Sequence, residues 1–162
     1  MKGIKYNVLV IGLGNLIMSD DGLGIHVAED LRQKEWPPGV SILEVGTSVL
    51  NYLEEIGRSR HLIAIDAVRA GGVPGSVYRI TGHDVPKQLG GLRDAHGVSL
   101  AGVIDLARGI TGFPDSIVVY GVEPRNLGFG NQLSPAVKKV LPVVIKKITS
   151  EIVKIPEGSR TM

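Results

Sequence analysis

Three short apolar runs constrain the fold of this 162-residue chain more than any other feature. They read YNVLVIG, HLIAIDAV and SIVVYGV, and they occupy residues 6–12, 61–68 and 116–122. A strand with one solvent-exposed face alternates apolar and polar residues, whereas a strand buried on both faces is a continuous run of mostly β-branched side chains. The three runs therefore predict strands of a largely parallel sheet that is covered by helices on both faces.

The segments between these runs supply two more strands and four helices. Residues 40–45 and 76–81 have strand character, and the second segment follows a connection too short for a helical crossover, so it should run antiparallel to the strand before it. The helical segments are residues 22–34, a short helix capped by Thr47 or Ser48, residues 97–109, and a last helix that begins at Ser134 and Pro135.

The order of these elements predicts one domain over residues 1–162. Strands alternate with helices along almost the whole chain, which is typical of a three-layer α/β/α sandwich. The predicted sheet has about five strands and is mostly parallel, with one antiparallel strand. We expect the tail at residues 156–162 to fray.

Composition excludes several classes of protein and of site. The chain has no cysteine, which rules out disulfides, thiolate metal ligands and a cysteine nucleophile. Its 18 Lys and Arg residues against 16 Asp and Glu residues leave a net charge of +2, which does not indicate a nucleic-acid partner. No apolar stretch approaches the ~20 residues of a membrane span, and the apolar residues after Lys5 are better explained by a first strand than by a signal peptide. We expect a cytoplasmic monomer with no membrane partner.

Polar residues follow the predicted parallel strands at the point where each strand ends. They are Asp20 and Asp21 after the first strand, Glu44 with Gly46 and Thr47 after the second, Asp66 near the end of the third, Asp94 and His96 in the loop before the third helix, and Glu123 after the last strand. The ligand crevice of an open α/β sheet lies beyond the carboxyl ends of its strands. These residues, distant in sequence, should therefore converge on one edge of the sheet.

Asp21, Asp66 and His96 are the residues of this group that best fit a metal site. A carboxylate inside the apolar run that holds Asp66 is costly to bury unless it is hydrogen-bonded, for instance to a neighbouring turn, or bound to a cation. One of Asp20 and Asp21 could serve as the N-cap of the following helix. Two carboxylates and one imidazole suit nickel, zinc or manganese and leave coordination positions open. The sequence identifies no catalytic nucleophile.

Nucleotide binding is an alternative that the first loop suggests. Gly12 and Gly14 after a strand match the start of a dinucleotide fingerprint, and Glu44 stands where a ribose-binding acid would be. The third glycine of the fingerprint is replaced by Ile17. Two aspartates at the start of the helix would also repel a pyrophosphate. The pattern therefore favours a metal over a nucleotide.

Taken together, the motifs resemble those of the maturation endopeptidases of nickel–iron hydrogenases. The matching segments, in order, are GLGNLIMSDDGLG, VGTSVLNYL, HLIAIDAV with GGVPGSVY, DAHGVSLAGVIDL, VYGVEP and LSPAV. The resemblance implies an enzyme that removes a short C-terminal extension from the precursor of the hydrogenase large subunit after nickel insertion. It also implies that the enzyme recognises nickel carried by the precursor, so that the free enzyme holds little metal of its own.

The resemblance carries residue roles onto this chain position by position. The metal-contacting residues of the family fall on Asp21, where many members have glutamate, and on Asp66 and His96. Glu44, where the family often has aspartate, becomes with Gly46 and Thr47 a secondary candidate for substrate recognition. A binding factor that holds the nickel-loaded precursor without cleaving it, and a metal hydrolase with its own ion, remain alternatives.

Overall fold

The computed structural model of the protein describes residues 3–81 and 100–158. Its five strands are β1 (Tyr6–Leu13), β2 (Val40–Gly46), β3 (Ser59–Ala67), β4 (Val77–Thr81) and β5 (Ser116–Val122). Its α-helices are α1 (Leu23–Arg32), α2 (Leu53–Gly57), α3 (Leu100–Thr111) and α4 (Pro135–Lys154), and 3-10 turns at Ser19–Gly22 and Val49–Tyr52 precede α1 and α2. The predicted order of strands and helices is confirmed. No helix in the described ranges is long and apolar enough to cross a membrane.

The five strands form one mixed sheet in the order β2-β1-β3-β5-β4. Four strands are parallel, and β4 is antiparallel to its neighbour β5. The predicted fold class is therefore confirmed, as is the opposite direction of β4 relative to β3. The strand between them is β5, because the connection after β3 crosses the carboxyl end of β5, where Glu123 exchanges backbone hydrogen bonds with Gly75 and Ser76.

Two apolar layers cover the two faces of the sheet. Because successive side chains of a strand point to opposite faces, Val8 and Val10 pack beneath α1 and α4, whereas Leu9 and Ile11 pack beneath α2 and α3. All four β1 side chains are at most 1% exposed. Burial of each such side chain stabilises the fold by about 1.5–3 kcal/mol. The central strands are thus buried on both faces, as their continuous apolar runs predict.

The last helix has one buried face and one solvent-exposed face. Along α4, the buried side chains recur at helical spacing in Val137, Val144, Ile148 and Ile152. The lysines of this helix lie on its exposed side. The lysines near the end of the chain therefore form the solvent-exposed face of an amphipathic helix.

Candidate active site

The candidate site lies where the order of the sheet reverses. The chain leaves β1 toward β2 on one side and later returns past β1 to form β3 on the other side. In parallel sheets, a crevice opens at such a switch point, beyond the carboxyl ends of the two strands. Asp21 follows β1 and Asp66 is the penultimate residue of β3, so both predicted acids lie at this crevice.

Gly14 packs against the backbone of Asp21 and lies near the carboxylate of Asp66. A Cβ atom at this position would lie 3.7 Å from Asp66 Oδ1 and only 1.7 Å from the backbone oxygen of Asp21. Its φ of +116° is also a conformation that side-chain-bearing residues rarely adopt. The loop after β1 can therefore bring the backbone of Asp21 against residue 14 only because this residue has no side chain.

Backbone amides orient both carboxylates. The N–H of Asn15 donates to Asp21 Oδ2 at 3.1 Å, and the N–H of Ala67 donates to Asp66 Oδ1 at 2.8 Å. Both acids are partly buried. Each carboxylate is thus held at the edge of the sheet, in partial contact with solvent.

Two further glycines, one in β1 and one in α1, let α1 pack closely against the sheet. A Cβ at Gly12 would lie 2.2 Å from the carbonyl oxygen of Gly24, and a Cβ at Gly24 would lie 2.3 Å from the carbonyl oxygens of Leu13 and Ile65. Approaches this close exclude any side chain at either position. Gly12, the first glycine of the apparent dinucleotide fingerprint, therefore serves with Gly24 the packing of α1 on β1 and β3.

Asp20 is a buried acid whose role the sequence did not reveal. Its side chain is 0% exposed, and its carboxylate accepts four hydrogen bonds. The donors are the N–H groups of Arg125, Asn126 and Ser134 and the hydroxyl of Ser134, at 2.7–3.0 Å. Burial raises the pKa of Asp20, but these hydrogen bonds outweigh it and hold the pKa below its ordinary value of 3.8.

The hydrogen bonds of Asp20 correct the interpretation of either aspartate as a helix cap. The N-cap residue of α1 is Gly22, and no side chain caps that helix. Ser134 does precede α4 as its N-cap residue with Pro135 in the first turn, as predicted, but its hydroxyl donates to Asp20 instead of capping the helix. Ser48 likewise precedes the 3-10 turn before α2 without a side-chain capping bond. Asp20 therefore fastens the 125–134 loop to the segment that carries Asp21.

A cleft of about 450 Å³ opens beside the acids and contains the secondary candidates for recognition. Its lining residues are Gly14, Asn15, Leu16, Ile25, Glu44, Val45, Gly46 and Thr47. The N–H of Gly14 donates to the carbonyl of Gly46 at 3.0 Å, and this hydrogen bond joins the loop after β1 to the end of β2. Glu44 Oε2 also accepts a hydrogen bond from Arg32 Nη1 at 2.6 Å, and this ion pair joins α1 to the end of β2.

Glu123 has a structural partner at the same edge. Its side chain is 5% exposed, and its Oε2 accepts the N–H of Ala70 at 2.8 Å. The carboxylate therefore fixes the connection that leaves β3 just after Asp66.

His61 contacts a serine at the opposite edge of the sheet. Its Nδ1 lies 2.6 Å from Ser116 Oγ, near the amino ends of β3 and β5. Burial lowers the pKa of His61, and Asp115 partly offsets this effect. Because Asp66 lies at the carboxyl end of β3, this His–Ser contact is not part of the candidate site.

The structure positions two of the three predicted metal ligands. His96 and Asp94 lie outside the described residues, so the placement of His96 beside Asp21 and Asp66 stays a prediction. Within residues 3–81 and 100–158, no group of three or more His, Asp or Glu side chains could hold a metal ion. The described part of the site is a pair of carboxylates.

Comparison with known proteins assigns the family. The family model described as "HycI: Hydrogenase maturation protease" matches residues 25–151. The chain belongs to the hydrogenase maturation protease family. The hydrogenase expression/formation protein HupM of Azotobacter chroococcum mcd 1 is 31% identical over 144 residues, which are 87% of this chain and 69% of HupM. The hydrogenase 2 maturation protease of Escherichia coli K12 is 28% identical over 147 residues, which are 90% of each chain.

Solved structures of hydrogenase maturation proteases have the same fold. The hydrogenase maturating endopeptidase HybD from Escherichia coli superposes with a TM-score of 0.86 at 27% identity, covering 91% of this chain and 93% of HybD. The [NiFe] hydrogenase maturation protease HycI of Thermococcus kodakarensis KOD1 superposes with a TM-score of 0.77 at 29% identity, covering 91% and 92%. The family resemblance inferred from the motifs is confirmed, and with it the role of a processing endopeptidase.

Proposed function

We propose that this hydrogenase maturation protease removes a C-terminal extension from the large-subunit precursor of a nickel–iron hydrogenase, and that nickel already held by the precursor is what it recognises. The observation that best supports this proposal is the placement of two acids, Asp21 and Asp66, next to Gly14 at the switch point of the sheet. In the proposal, His96 completes the set of ligands.

The chemistry of this set fits an ion that arrives with its own ligands. Two carboxylate oxygens and one imidazole leave coordination positions open, which the donor atoms of the precursor would occupy. Backbone N–H groups orient both carboxylates in advance, so the ion meets ligands that need little rearrangement. Asp21, Asp66 and His96 would hold the ion, which could then position the scissile peptide, polarise its carbonyl group or activate water.

The cleft beside the acids suits a peptide that approaches the ion. Glu44, Gly46 and Thr47 line it, and the Arg32 side chain fixes the direction of the Glu44 carboxylate. In the proposal, these three residues contact the precursor chain next to the nickel.

Substitution of the proposed ligands tests this site. Asp66→Asn keeps an oxygen that can accept the N–H of Ala67, so the fold should persist while the charge that attracts the ion is lost. We expect Asp66→Asn and His96→Ala each to slow cleavage of the nickel-loaded precursor at least about 100-fold, with little change in the thermal midpoint. Asp105→Asn, an exposed change on α3, is the matched control.

Normal cleavage by both variants would refute the assigned site. A large drop in the thermal midpoint of Asp66→Asn would instead indicate that Asp66 is structural. A precursor that binds in a nickel-dependent way without any loss of mass would favour the alternative of a non-cleaving maturation factor. Metal retained through purification, together with cleavage of unrelated peptides, would indicate a conventional metal hydrolase.

A further inference from the structure

Three large apolar side chains are exposed on the two loops next to the candidate site. Leu16, Ile17 and Phe129 are 44%, 57% and 86% exposed, and we call them the apolar rim. Phe129 is one of only two phenylalanines in the chain. Scattered apolar residues are normal on a protein surface, but aromatic side chains grouped with aliphatic ones next to a site are typical of an interaction surface.

The two loops of the apolar rim are fastened to one another. The N–H of Gly130 donates to the carbonyl of Ile17 at 3.0 Å, and the N–H of Ser19 donates to the carbonyl of Gly130 at 2.9 Å. The Ser19 hydroxyl donates to Gly128, and the buried Asp20 carboxylate holds the same loop at its other end. The backbones of Ile17 and Phe129 are therefore held side by side before any partner arrives.

The two loop segments that carry the apolar rim contain no charged residue. Residues 12–19, GLGNLIMS, and residues 127–134, LGFGNQLS, contain no Asp, Glu, Lys or Arg, although charged residues make up 21% of the chain. Such a surface is complementary to an uncharged, apolar partner, because a charged partner would lose water without gaining an opposite charge.

The apolar rim is continuous with the candidate site. Leu16 lines the cleft that also contains Glu44, and the N–H of the preceding Asn15 orients the Asp21 carboxylate. A partner that covers Leu16 therefore borders the cleft next to the acids. A second copy of the chain in this position would obstruct the crevice that an endopeptidase needs for its protein substrate.

We propose that the apolar rim is a docking surface for an apolar, uncharged segment of the polypeptide substrate, which lies beside the cleft while the scissile region reaches Asp21 and Asp66. This inference rests on the proposed function, because it takes the large-subunit precursor as that substrate. Docking at the apolar rim contributes to binding and takes no part in bond cleavage.

Kinetics on the full-length, nickel-loaded precursor test this role. Ile17→Ser and Phe129→Ser remove exposed side chains, so the thermal midpoint should stay unchanged. Loss of a central apolar anchor should raise KM about ten-fold and leave kcat within about two-fold. Val153→Ser, a change of a 70% exposed residue on α4, is the matched control and should leave both constants unchanged.

Measuring precursor binding as well as precursor cleavage distinguishes a failure of this inference from a failure of the proposed function. If the wild-type protein cleaves the nickel-loaded precursor and both rim variants do so with unchanged KM, the docking inference is wrong and the proposed function stands. If the wild-type protein binds the precursor without cleaving it, and Phe129→Ser weakens binding about ten-fold, the docking inference stands and the proposed function fails. A dimer in sedimentation velocity that Phe129→Ser dissociates would assign the apolar rim to a second copy and overturn the inference.

Discussion

At the scale of residues, Asp20 and Asp21 are chemically identical neighbours with different surroundings. Asp20 is fully buried and accepts four hydrogen bonds from the 125–134 loop, whereas Asp21 is partly exposed at the crevice. The sequence did not reveal this division, because the helix-cap position that it suggested for one of the two aspartates is occupied by Gly22. It could not show the partners of Asp20, which lie more than 100 positions away along the chain.

The hydrogen bonds of Asp20 predict an acid-dependent loss of stability. Its folded-state pKa lies below the ordinary value of 3.8, so the ionised carboxylate stabilises the fold above that pH. This contribution is lost as pH falls through the folded-state pKa. We expect Asp20→Asn to lower the free energy of unfolding by about 1–3 kcal/mol at pH 7, since the amide leaves a buried N–H without an acceptor.

Urea denaturation across the pH range measures this effect. The gap between the wild-type protein and Asp20→Asn should be constant from pH 5 to pH 8 and shrink below the ordinary pKa of 3.8. Asp30→Asn, an exposed change on α1, should show no such gap. A gap that persists unchanged into the acid range would contradict the assigned role of the Asp20 charge.

At the scale of elements, the sequence predicted the first βα unit closely. The strand predicted at residues 6–12 corresponds to β1 (Tyr6–Leu13), and the helix predicted at residues 22–34 corresponds to α1 (Leu23–Arg32). Periodicity reveals such elements because it records which side chains are buried. It does not reveal how closely a helix approaches a sheet, which is why the packing role of Gly12 and Gly24 was apparent only in three dimensions.

Two glycine substitutions in helices test this close approach. Gly24→Ala would place a Cβ 2.3 Å from the carbonyl oxygens of Leu13 and Ile65, so α1 must move away from the sheet. We expect a loss of about 2–4 kcal/mol in the free energy of unfolding. Gly109→Ala on α3 meets nothing within 4 Å and should instead stabilise the protein by about 0.5–1 kcal/mol, measured in the same denaturation experiment. Equal effects of both substitutions would contradict the proposed packing.

At the scale of the whole molecule, the sequence predicted the three layers and the mixed sheet but left the neighbour of β4 open. A short connection determines the direction of the next strand, whereas its pairing with β5 depends on residues that come later in the chain. The position of His96, the monomeric state and the cytoplasmic location stay predictions.

The function, like the fold, can be predicted only in part from the order of the strands. Strand order is enough to bring Asp21 and Asp66 to one crevice, because parallel strands end at a common edge. Polypeptide cleavage is not readable from that geometry and comes from membership of the hydrogenase maturation protease family. In the proposed function, nickel recognition connects the two acids to this activity.

The most direct test compares cleavage of a nickel-loaded and a nickel-free large-subunit precursor by the wild-type protein, followed by the mass of the precursor. We predict loss of a C-terminal peptide from the nickel-loaded form and an unchanged mass for the nickel-free form. Equal cleavage of both forms would contradict the claim that substrate-bound nickel is what the enzyme recognises.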